Sequence, residues 1–86
     1  MVARRLSQYP NIVRDPRIQG GDSVIAGTRI PVWTVAAAWR TRPELDSILR
    51  AYPALTRELV EEALAYGRTH RQEIETALAE NDVELV

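Results

Sequence analysis

Residues 15–31 of this chain read DPRIQGGDSVIAGTRIP, and they run directly into the apolar stretch VWTVAAAW at 32–39. Asp15-Pro16 stops any regular element before it, because the residue preceding proline is pushed out of the helical region. Gly20-Gly21 supplies the backbone freedom of a turn. Ser23-Val24-Ile25-Ala26 then reads as a strand, and Gly27-Thr28 lets the chain reverse or bulge before Arg29-Ile30. Pro31 suits the first turn of a helix, where its missing N–H is no loss. The stretch therefore predicts a short β element feeding a helix.

Working outward, Ile12-Val13-Arg14 forms a second short strand, and residues 1–11 read as a flexible N-terminal arm. Two such strands are marginal alone in water, so pairing with a second copy of the chain is expected, with Val24 and Ile25 at the interface. In the helix, Val32, Val35, Ala36 and Trp39 follow the i, i+3, i+4, i+7 spacing of a buried face. Trp33, Ala37 and Ala38 leave only Thr34 polar around the rest, and a helix apolar all round is buried on most sides. Two tryptophans on opposite faces place one in the core and one, Trp33, at the dimer interface.

Downstream, Thr41 with Glu44 matches a capping box, with Pro43 in the first turn of a second helix through Leu45, Ile48, Leu49 and Tyr52. Pro53 ends it. Thr56 is the N-cap of a third helix, with Val60, Ala63, Leu64 and Gly67 facing inward. Thr69 with Gln72 makes another capping box and opens a last helix through Ile74, Ala77 and Leu78. Gly67 either separates these two or lies within one continuous helix. The chain thus divides into the arm at 1–11, one domain at 12–79 and an acidic tail at 80–86.

Eighty-six residues make one domain near the lower limit for a self-sufficient core. The absence of cysteine excludes disulfides and thiolate metal sites. The longest mostly apolar run, Ile30 to Trp39, is half the roughly 20 residues that a membrane span needs. Arg4 and Arg5 are followed by Ser7, Gln8, Tyr9 and Pro10, not by the apolar core of a signal peptide. A cytoplasmic protein with no membrane partner is expected. All 11 basic residues are arginine, which suits bidentate contacts to carboxylate or phosphate, although a GC-rich genome produces the same bias.

The net charge of −1 hides a split. Residues 1–42 hold seven arginines against Asp15 and Asp22, a balance of +5, and residues 43–86 hold four arginines against ten carboxylates, a balance of −6. Either the two halves face different partners, or they attract each other.

Catalysis finds little footing. His70 is the only histidine, no cysteine can act as nucleophile, and Ser7, Ser23 and Ser47 stand in no catalytic motif. Asp15 and Asp22 both flank turns, where aspartate caps backbone groups; no metal and no cofactor are expected. Residues 44–51, 52–55 and 57–66 have the lengths of a helix-turn-helix. In that reading Arg57 touches bases, while Arg42 and Arg50 meet phosphates. The outward face of the third helix also carries Glu58, Glu61 and Glu62, which repel phosphate, so packing without any DNA contact stays open.

Together, Asp15-Pro16, Gly20-Gly21, Val24-Ile25-Ala26-Gly27-Thr28-Arg29-Ile30-Pro31-Val32, Tyr52-Pro53-Ala54-Leu55-Thr56 and Ala63-Leu64-Ala65-Tyr66 resemble the pattern of the prokaryotic family called domain of unknown function 433. The resemblance spans about residues 11–72. One departure is Arg40-Thr41-Arg42-Pro43, where the family commonly has Gly-x-Ser. The resemblance implies a mainly α (α+β), homeodomain-like or winged-helix-like domain of three to four helices with a short N-terminal β element. Many members are encoded beside PIN-like nuclease toxins and are treated as their antitoxins. It therefore implies an antitoxin, not an enzyme, that neutralises a PIN-like toxin; the homodimer is expected from the unpaired strands and the apolar first helix, and operator DNA is an optional further partner. The arginines expected to reach the toxin are Arg4 and Arg5, on the arm, and secondarily Arg29, which Asp15 or Asp22 is expected to hold in a structural pair. A stand-alone DNA-binding regulator and a structural interaction module remain the alternatives.

Overall fold

The computed structural model describes residues 4–6, 8–17 and 21–81. In chain order its elements are β1 (Arg4–Leu6), β2 (Tyr9–Arg14), β3 (Ser23–Ile25), α1 (Val32–Thr41), α2 (Leu45–Ala51), α3 (Arg57–Thr69) and α4 (Arg71–Glu80). The expected small, mainly helical α+β fold is what the chain forms.

The strands make one antiparallel sheet in the order β1-β2-β3. Arg4 lies opposite Arg14 and Arg5 opposite Val13, while Ile12 lies opposite Ile25 and Val13 opposite Val24. The far side of β3 is closed by a bridge from Val24 to Pro31, and Ile25 N–H donates to the Ile30 carbonyl at 3.0 Å. Gly27, at φ 79°, makes that reversal possible.

The arm expected at 1–11 is overturned where it is described: residues 4–6 and 9–11 are strand. The cause is distant in sequence. Tyr9 Oη shares a 2.7 Å hydrogen bond with Thr69 Oγ1, and its ring meets Tyr66 edge-on at 5.2 Å. Asn11 donates from its backbone N–H (2.8 Å) and its amide (2.9 Å) to the Glu62 carboxylate. The α3 helix thus orders β2, which no local pattern in residues 1–11 could reveal.

One core joins the layers. Ile12 and Ile25 come from the sheet, Val32 and Val35 from α1, Val60, Ala63 and Tyr66 from α3, and Ile74 from α4; all are at most 1% exposed. Each such aliphatic side chain contributes about 1.5–3 kcal/mol relative to exposure. Ile48 of α2 and Leu55 of the turn after it complete the cluster.

Helix boundaries test the local signals. Thr56 caps α3 as expected, its side chain accepting from Leu59 N–H at 3.2 Å. The other two boxes do not form. Thr41 is the last residue of α1 and donates back to the Ala37 carbonyl at 2.9 Å, so α2 begins after Glu44 with no side-chain cap. Thr69 likewise ends α3, with its hydroxyl 3.1 Å from the Tyr66 carbonyl. His70, in a non-helical conformation, separates α3 from α4. Gly67 is inside α3. A Cβ there would meet Ile74 Cγ1 at 3.7 Å, an ordinary contact, although glycine in a helix interior is about 0.8–1.0 kcal/mol less favourable than alanine. α4 runs to Glu80, and residues 82–86 of the expected tail lie outside the described residues.

α1 is less enclosed than its composition predicts. Val32, Val35 and Ala36 are buried, whereas Trp33, Ala37, Ala38 and Trp39 are only half-buried.

Candidate functional site

Arg29 sits on the turn that joins β3 to α1, and its loop is clamped from several sides. Thr28 N–H donates to the Ile25 carbonyl at 3.1 Å. The Thr28 hydroxyl donates to that same carbonyl at 2.7 Å and accepts from Ile30 N–H at 3.0 Å. Arg29 itself is exposed.

The structural pair expected for Arg29 is absent, because both aspartates are engaged elsewhere. Asp15 accepts from Arg17 N–H at 2.9 Å, from Arg17 Nε at 2.8 Å and from Arg17 Nη2 at 2.6 Å. These bonds from Arg17 hold its carboxyl down at about 2. Asp22 accepts from Trp33 Nε1 at 3.1 Å. Among the described residues, Arg29 forms no ion pair. Arg4 and Arg5 belong to β1, and their side chains lie outside the described residues.

The arginines expected on DNA all lie near α2 and the start of α3, and all are exposed. Arg42 pairs with Glu44 at 3.1 Å, and Arg57 with Asp46 at 3.8 Å. Arg50 has no ionic partner among the described residues. Glu62, one of the three carboxylates on the outward face of α3, is turned onto Asn11.

The expected dimer contacts separate. Val24 and Ile25 are 0% exposed within the single chain, so their side chains have no surface to offer a second copy; the core and the Pro31 bridge have taken it. Trp33 is half-buried and, with Thr34, Ala37, Ala38 and Tyr52, borders an open depression of about 500 Å³.

The Tyr52–Thr56 turn, the Val24–Val32 segment and the Ala63–Tyr66 stretch therefore come together around one core. The pattern of the family described as Protein of unknown function (DUF433) matches residues 12–67. The chain belongs to the DUF433 family. An uncharacterized protein of Sinorhizobium fredii, y4eO, is 34% identical over 59 residues, which are 69% of this chain and 27% of that protein. The chain thus spans about a quarter of that relative's length. The crystal structure of a DUF433 member from Anabaena variabilis superposes with a TM-score of 0.75 at 33% identity, over 80% of this chain and 68% of that one.

A second polar centre of this DUF433 protein lies where the sheet meets α3 and α4. Glu73 accepts from Tyr66 Oη at 2.5 Å, from Ser23 Oγ at 2.6 Å and from the Arg14 guanidinium. Arg14 also donates to Tyr66 Oη at 3.2 Å. Burial, aided by Glu73, pushes the Tyr66 phenol up. Burial works against the Arg14 charge, but Glu73 and Tyr66 hold its pKa above the usual value. His70 stacks on Tyr66 with ring centroids 4.0 Å apart.

Chemically this centre is a tie. Ser23 is 2% exposed, and its hydroxyl donates to a carboxylate that also accepts from Arg14 and Tyr66, so all four side chains are held in one network. Arg14 and Glu73, 59 residues apart, carry no local signal that could have revealed the pairing. They also answer part of the charge question: Arg14–Glu73 and Arg40–Glu75 join the basic half to the acidic half within one chain. Among the described residues no group of three or more His, Asp or Glu side chains could hold a metal ion, and no helix is long and apolar enough to cross a membrane.

Proposed function

We propose that this DUF433 protein is the antitoxin of a type II toxin–antitoxin pair, acting in the cytoplasm by binding and neutralising a PIN-like ribonuclease. The sequence support is the family resemblance, many of whose members are encoded beside such nucleases. The structural observation that carries the reading is Arg29, exposed on a clamped turn with no ionic partner among the described residues. PIN-type sites gather carboxylates around a divalent ion, and a guanidinium presented rigidly pairs with them bidentately and competes with the metal. Arg29 accordingly replaces Arg4 and Arg5 as the leading contact, since those two sit on a strand and not on a loose arm.

The reading assigns no catalysis to the chain. It includes a homodimer through the Trp33 side of α1, where half-buried apolar residues border the open depression. Operator binding is a second reading, favoured by Glu62 having turned away from the outward face of α3. Glu58 and Glu61 remain exposed there, so DNA binding by the free protein is expected to be weak and steeply salt-dependent.

Co-expression with the neighbouring reading frame tests the proposal. The wild-type chain should co-purify with a nuclease and suppress its activity. Arg29→Glu should release that activity while leaving the circular dichroism of the chain unchanged, because Arg29 is exposed. Full inhibition by Arg29→Glu removes Arg29 from the role, and failure to co-purify or to relieve growth arrest removes the antitoxin reading.

A further inference from the structure

At the far end of α1 from Arg29, a groove of about 380 Å³ opens between α1, α3 and α4. Its apolar walls are Ala36, Trp39, Leu64 and Ile74, its rim carries Arg40, Arg68 and Arg71, and Gly67 lies between. Trp39 and Leu64 are half-buried, and Arg68 and Arg71 are exposed. Glu75 neutralises part of the rim, pairing with Arg40 at 2.7 Å and with Arg71 at 3.9 Å. Arg68 has no ionic partner among the described residues.

Gly67 adds no side chain to this lining, and a Cβ there would point at Ile74 Cγ1, 3.7 Å away.

We propose that this groove binds an acidic peptide segment of a partner protein, seating one large apolar side chain against Trp39 and Leu64 while flanking carboxylates meet Arg68, Arg40 and Arg71. The volume matches the lower range of ligand-sized pockets. A guanidinium rim suits carboxylates through bidentate hydrogen bonds. The rim is also local. Glu61 lies on the same helical stripe as Leu64 and Arg68, and Glu75 sits between two of the arginines, so a continuous phosphate chain would run onto carboxylates. A peptide can place its acids only where the arginines are. Nothing in this inference depends on the partner being a nuclease, and Arg29 takes no part in it.

The test is an NMR titration of the full ¹⁵N-labelled chain with an end-blocked pentapeptide that has leucine between two pairs of acidic residues. Shifts should appear at the Trp39 indole, Gly67 and Ile74. Replacing the peptide's leucine by glycine, or its acids by lysine, should abolish them. Arg68→Glu should weaken binding by about tenfold or more, in line with loss of a charge-assisted contact. Gly67→Leu should block the slot; should that variant not fold, Arg68→Glu, altered only at an exposed side chain, carries the test. No shift at millimolar peptide, equal binding of the glycine peptide, or stronger perturbation of the same residues by a single-stranded oligonucleotide would overturn the proposal.

Discussion

Glu73 and Glu75 stand two positions apart on α4 and do opposite things. Glu73 faces the sheet, is 25% exposed, and takes hydrogen bonds from Arg14, Ser23 and Tyr66. Glu75 faces α1, is 44% exposed, and holds Arg40 at 2.7 Å with Arg71 at 3.9 Å. The first glutamate has its donors supplied by three different elements, so it locks the layers together. The second pairs with two arginines on the rim of the open groove and ties no third element. Burial and number of partners, not residue type, separate a structural tie from the rim of an open groove.

The sharpest way to break the tie is Tyr66→Ala. Tyr66 is 0% exposed and sits under the Tyr9 and His70 rings, so its loss should cost about 3–5 kcal/mol in chemical denaturation. On a domain this small that is enough to unfold much of the population. Glu73→Gln keeps the volume and removes the charge. It should cost about 1.5–3 kcal/mol, the range for a charge-assisted hydrogen bond, whereas Glu75→Gln should shift the same transition far less.

Acid adds a second way to separate buried from open pairs. The Asp15 carboxyl is depressed to about 2, below its unfolded value, so its contribution to stability is present above about pH 4 and is lost as pH falls toward 2. Urea midpoints measured between pH 5 and 2 should fall for the wild type, and Asp15→Asn should flatten part of that decline. The smallest effects belong to the groove. Gly67→Ala should stabilise the fold by up to about 1 kcal/mol, and Arg68→Ala should leave it within about 0.5 kcal/mol. A large loss from Arg68→Ala would erase the contrast between the two regions.

Much of the architecture was readable from short-range chemistry. Pro31 marks the start of α1, Thr56 caps α3, and Ser23–Ile25 forms a strand after a glycine turn, because each depends on neighbours within a few residues. Thr41 and Thr69 misled for a related reason. Their hydroxyls had two local partners available, and both turned back to their own helix, which spacing alone could not decide. Ordering of β2 required Glu62 and Thr69, and the open state of Arg29 required knowing that Arg17 and Trp33 had taken Asp15 and Asp22. The basic groove draws on three helices, so its arginines looked like ordinary surface charge in the linear chain.

The Thr28 hydroxyl, bonded on one side to Ile25 and on the other to Ile30, has a kinetic meaning as well. Ordering a loop at an interface opposes binding, and here the backbone under Arg29 is ordered when the domain folds. The partner proposed for Arg29 would meet the turn in its final shape, so encounter need not wait for a rearrangement. Thr28→Val would preserve size but remove both bonds, and its signature would be slower capture of the partner with little change in the residence time of complexes once formed.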